Sequence, residues 1–108
     1  MEAEMDAVWD EVNQVSDSTF PGWRSVHLLY WSTAIAGEVG EFCNLAKKRE
    51  EGGSRAAEVT KDSLVEELAD VYIYLQKTVE CLGTGRSEFS AMVRAKLAKI
   101  QSRQGLNG

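Results

Sequence analysis

Apolar residues recur along this chain at intervals of three and four, the helical period, and nowhere alternate as a strand would. Met5, Val8, Val12 and Val15 form a first stripe, widened by Trp9, that ends near Ser16–Ser18 before the Pro21-Gly22 turn. Leu28, Ile35, Val39, Phe42 and Ala46 mark a second helix from about Ser25 to Glu51, stopped by Gly52-Gly53. A third begins between Ser54 and Thr60, carries Leu64, Leu68, Val71, Leu75, Val79 and Leu82, and has Gly83 placed to cap it. Ser87 suits the N-cap of a fourth, with Phe89, Val93, Leu97 and Ile100 on its stripe and a frayed tail over 104–108. The single proline lies outside all four helices. Short connections between such helices predict an all-α fold, a four-helix bundle of antiparallel hairpins forming one domain over 1–108. Apolar stripes this long on a small bundle predict homo-oligomerisation to cover them.

Two acidic pairs interrupt the apolar pattern: Glu38/Glu41 in GEVGEF and Glu67/Asp70 in EELADV. Each is spaced i, i+3 and so shares one helix face. Every member sits one residue before a stripe residue (Val39, Phe42, Leu68 and Val71), so a hairpin turns both pairs to the same side. Eleven residues separate Glu41 from Gly52 and ten separate Thr60 from Asp70, which puts these two at similar heights above the connection. Four carboxylates gathered this way repel one another, and a cation would neutralise them. Oxygen-only ligands favour Mg²⁺ or Mn²⁺. The only histidine, His27, lies outside both pairs and is read as a surface or packing residue, so the Glu-x-x-His motifs of di-iron bundles are missing.

Composition narrows the possibilities further. A net charge of −5 is unfavourable for nucleic-acid binding, and most of it resides in the four paired carboxylates. An acidic chain can still take a polyphosphate through bound metal. No apolar run is long enough to span a bilayer, and the acidic start MEAEMDAVWDEV is unlike a secretory signal, so a cytoplasmic protein is expected. Cys43 and Cys81 have no metal-binding spacing and read as reduced, packed thiols.

At the two acidic pairs the chain resembles the all-α nucleoside triphosphate pyrophosphohydrolases, the MazG-like superfamily that includes dCTP pyrophosphatases and dimeric dUTPases. The family signature is EExxE followed by ExxD. Here Gly37-Glu38-Val39-Gly40-Glu41 and Glu67-Leu68-Ala69-Asp70 match it, within the family-like stretches AIAGEVGEF and EELADVYIYL. Gly37 stands where the family has its first glutamate, Lys48 where one branch has tryptophan, and Ile100 where helix four has asparagine. The resemblance implies Mg²⁺ held by Glu38, Glu41, Glu67 and Asp70. It also implies cleavage of a nucleoside triphosphate to monophosphate and pyrophosphate, with Glu38 or Glu41 activating water. Lys96 and Arg103 match the family's helix-four phosphate pattern, and Tyr74 matches a family tyrosine placed to contact sugar or base. Lys48 is a further candidate for the phosphates. Among the aromatic residues Trp9, Phe20, Trp23, Tyr30 and Trp31, Trp23 is the candidate for base stacking, and Trp9 reads as core. A homodimer or homotetramer is implied. The alternatives are phosphoribosyl-ATP pyrophosphohydrolase and a non-catalytic metal-binding helical module.

Overall fold

The computed structural model describes the backbone of residues 2–107 and the side chains of residues 4–103. Four α-helices are present and no strand occurs among the described residues: α1 (Glu2–Thr19), α2 (Leu28–Glu51), α3 (Lys61–Cys81) and α4 (Arg86–Asn107). Two single 3₁₀ turns, Trp23–Ser25 and Ala56–Glu58, lie in the connections before α2 and α3. No described helix is long and apolar enough to cross a membrane.

Local signals explain most boundaries. Gly22 takes the left-handed conformation (φ 81) that turns the chain out of the α1 region, and Trp23–Ser25 then forms a 3₁₀ turn. The second helix therefore starts at Leu28, three residues later than the apolar pattern predicts. His27 is its N-cap, with Nδ1 accepting from the Leu29 amide at 3.3 Å. Thr60 and Ser63 form a reciprocal capping box that starts α3. Gly52, Gly53 and Gly83 all have positive φ where α2 and α3 stop. The fourth helix begins at Arg86, with Phe89 N–H donating to Gly85 O, so Ser87 lies inside its first turn and is not the N-cap. It also continues to Asn107, past the expected end at Arg103; Gly108 lies outside the described residues.

The centre of the fold is the α2–α3 hairpin. Trp31 faces Tyr74 (ring centroids 6.0 Å apart) and Glu38 faces Glu67. Seven residues forward on α2 thus correspond to seven back on α3, so the helices are antiparallel. Fully buried side chains are few. Trp31 (0% exposed), Trp23 (1%) and Gln76 (1%) anchor one end of the hairpin, with Trp9, Val59 and Val79 also buried. Trp9 is core, as its spacing predicts. The first helix is tied to α3 by a polar network: Glu80 Oε2 accepts from Trp9 Nε1 (2.8 Å) and Asn13 Nδ2 (3.2 Å). Gln76 Nε2 donates to Trp9 O (2.8 Å) and Asn13 Oδ1 (3.1 Å). The start of α4 is held to α1 by the Arg86–Asp6 ion pair (2.9 Å) and the Trp9–Phe89 ring contact.

Among the described residues, α4 beyond its first turns packs extensively against no other helix. Its stripe residues Met92, Val93, Leu97 and Ile100 are exposed, as are Leu28, Val39, Leu68 and Leu75 of the hairpin. The radius of gyration is 17.1 Å, against about 13 Å for a compact chain of this length. A single chain thus supplies helices and a hairpin, while much of the expected apolar core stays on the surface.

The capping box yields a direct test. Thr60→Ala removes the acceptor for the Ser63 amide and should lower the unfolding free energy by about 1 kcal/mol, measured by urea denaturation with an unchanged m-value.

Candidate metal centre

Glu38 on α2 and Glu67 and Asp70 on α3 each present an oxygen, and these oxygens lie within 4.8 Å of one another. All three residues are half-buried at the helix seam. Glu41, one turn along α2, is more exposed but lies close enough to both Glu38 and Glu67 to act on each by charge. The structure therefore brings together all four residues of the two acidic pairs.

The electrostatics of the cluster are unrelieved. Desolvation first, then the neighbouring carboxylates Glu41 and Asp70, push the Glu38 carboxyl above the ordinary glutamate value. Glu67 is raised in the same way, by desolvation and then by Glu41. No lysine or arginine forms an ion pair with any of the four among the described residues. The Oε2 atoms of Glu38 and Glu67 are buried and have no hydrogen-bond partner. Two orphaned carboxylate oxygens facing each other across a helix seam lack a positive charge between them, and an all-oxygen donor set fits Mg²⁺ or Mn²⁺.

The other candidate residues divide into those near the cluster and those away from it. Tyr74 lies one turn beyond Asp70; its hydroxyl is raised above the usual tyrosine value by burial and by the nearby Glu38. Lys48 is exposed on α2, and Lys96 and Arg103 are exposed on the unpacked part of α4. None of these three cations forms an ion pair with the carboxylates among the described residues. Trp23 requires a correction: it is 1% exposed and its ring is already taken up by packing within the chain, so it does not stand open in the turn as a stacking platform. Its Nε1 donates to Asp17 Oδ1 at 2.8 Å, the Arg24 guanidinium covers its ring at 4.3 Å, and Trp31 meets it edge-on at 6.3 Å. The tryptophan belongs to the hairpin's aromatic end.

One residue near the cluster escaped the sequence analysis. Lys77 is 8% exposed, and its ammonium faces four rings: Trp31 at 4.5 Å, Trp23 at 5.5 Å, Phe20 at 5.6 Å and Tyr74 at 5.8 Å. Burial lowers its pKa below the usual lysine value. The signal was present in the spacing, since Glu67, Asp70, Tyr74 and Lys77 follow one another at three, four and three residues.

Two predictions follow from the cluster's charge. A ligand that binds only the folded chain at a hundredfold excess over its Kd adds about 2.7 kcal/mol, so saturating Mg²⁺ should raise Tm by roughly 10 °C. Glu67→Gln should melt higher than the metal-free parent and lose the Mg²⁺ shift. The second concerns pH. The folded state holds protons on Glu38 and Glu67 more tightly than the unfolded chain does. The metal-free protein should therefore gain stability from this site as pH falls from neutral towards the ordinary value of 4.5. Mg²⁺ should abolish that gain in melts recorded across the same range.

Comparison with known proteins adds no relative: no family model, curated protein or solved structure matches this chain.

Proposed function

We propose that this chain is a Mg²⁺-dependent nucleoside triphosphate pyrophosphohydrolase that works as a homo-oligomer. The observation that carries the reading is the pair of orphaned buried oxygens, Glu38 Oε2 and Glu67 Oε2, in a four-carboxylate cluster. The same four residues carry the sequence resemblance. Mg²⁺ or Mn²⁺ held by Glu38, Glu41, Glu67 and Asp70 would offset the charge of a triphosphate and withdraw electron density from its α-phosphorus. Glu38 or Glu41 would orient a water and accept its proton as it attacks between the α- and β-phosphates. Tyr74, beside the cluster on α3, would contact the sugar or base.

Oligomerisation rests on surface. The chain exposes 7911 Å², where a compact monomer of its mass would expose about 6,000 Å². The excess resembles one partner's share of an obligate interface. It includes the α4 stripe Met92, Val93, Leu97 and Ile100 and the hairpin residues Val39, Leu68 and Leu75. Packing α4 of one copy on the hairpin of another would complete a helical bundle. It would also bring Lys96 and Arg103 to a partner's carboxylates, with which they form no ion pair among the described residues of their own chain.

That lack of pairing within one chain also favours a second reading, a helical module that binds metal and turns over nothing. A panel of NTPs and dNTPs with Mg²⁺ separates the two, with nucleotide products resolved and pyrophosphate assayed. Monophosphate plus pyrophosphate, lost in Glu67→Gln, is the expected result. Metal binding without turnover of any nucleotide would favour the module. Light scattering should give a mass of at least twice 12.0 kDa; a monomer at micromolar concentration would contradict the assembly.

A further inference from the structure

The face of α3 that carries Glu67 and Asp70 continues through Tyr74 to Lys77. Lys77 lies roughly 10 Å along the helix from Asp70 at 1.5 Å per residue, comparable with the reach from an α-phosphate to the far edge of its base. The surroundings of Lys77 are aromatic. Trp31, Trp23, Phe20 and Tyr74 enclose its ammonium, and no carboxylate pairs with it among the described residues. The residue is 8% exposed, and its Nζ is not among the buried atoms that lack a partner. A second donor in the same cage is unspent. Trp31 is 0% exposed and its Nε1 has no hydrogen-bond partner; the sulfur of Cys81, a weak acceptor, is close enough to interact with it. A buried donor without an acceptor is costly, and the Lys77 ammonium beside Trp31 faces no anion among the described residues, so this cage lacks an acceptor.

One wall of the cage does not belong to a helix. Phe20 lies in the turn after α1, half-buried, with its ring centroid 5.8 Å from that of Trp31 and 5.6 Å from Lys77 Nζ. A flat ligand of similar width could take the place of that ring without moving α2 or α3.

We infer that Lys77 is the specificity-determining residue of the site, donating to an oxo group of a nucleobase that displaces Phe20 and lies against Trp31 and Tyr74. This rests on the pyrophosphohydrolase reading. An ammonium only donates, so it rewards the O6/N7 edge of guanine or the O4 of uracil and thymine. The exocyclic amine of adenine or cytosine meets it donor to donor. The substrate class is therefore triphosphates of oxo bases.

The test compares kcat/KM for dGTP, dTTP, dATP and dCTP in the full chain with Mg²⁺, for the parent, Lys77→Met and Lys77→Arg. The parent should prefer dGTP and dTTP by roughly ten- to hundredfold. Lys77→Met should lose that preference, with KM rising for the two oxo bases while dATP and dCTP are turned over at least as well as by the parent, and Lys77→Arg should retain most of it. A parent active on all four without preference, or a Lys77→Met loss equal across the four, overturns the inference and leaves the hydrolase reading standing. No turnover by the parent overturns both. If Lys77→Met does not fold, Phe20→Ala decides: KM for dGTP and dTTP should fall severalfold, and an unchanged KM overturns the inference.

Discussion

Like charge held in one place is the constraint on which the rest of this structure depends. Glu38 and Glu67 face each other with buried, unpartnered oxygens, and Asp70 and Glu41 add to the same field. Left alone, such a group would push α2 and α3 apart. Packing one end of the hairpin resists this: Trp31 and Tyr74 meet across the seam two turns from Glu38, and Trp23 and Gln76 are buried beside them. Aromatic contacts hold the helices together away from the carboxylates, and the carboxylates occupy the stretch where a cation could bind. The cost of the cluster in the metal-free chain and the metal affinity proposed for it would therefore have one cause.

The apolar surface poses a complementary problem. Its buried core is dominated by three tryptophans, while leucines, valines and methionines of α2, α3 and α4 remain exposed. A polar network centred on Glu80 and Gln76 fixes α1 to α3, so that side of the hairpin is closed within the chain. Its other side and the length of α4 are not. Burying those residues against a second copy would stabilise the fold and would add cations to a site that has none of its own. Stability and activity would then share one interface, on the reading proposed above.

Much of this was legible in the sequence. The i, i+3 spacing of the two acidic pairs and their common offset from the apolar stripes placed all four carboxylates on one side of a hairpin. Their distances from Gly52 and Thr60 set the level. Glycine pairs and Thr60 marked helix ends because their chemistry is local. Less visible were features that depend on tertiary packing. The apolar stripe of α4 reads as a core face, yet periodicity does not say whether the partner is in the same chain. Trp23 read as a surface aromatic in a turn, and its burial follows from Asp17 and Arg24, six residues before it and one after, closing on it. Lys77 read as one more charged residue on a helix, and only the folded hairpin shows the four rings around it. The start of α4 was missed by two residues because Gly85 can accept the first helical bond without a side-chain cap.

The central claim is that α2 and α3 together hold one metal site. Calorimetric titration of Mn²⁺ into the metal-free chain, beside Glu38→Gln and Glu67→Gln, tests it most directly. The account predicts saturable binding by the parent and a large loss of affinity in each variant, because each removes an orphaned oxygen from a different helix. Absence of saturable binding, or binding that survives either substitution unchanged, would contradict it.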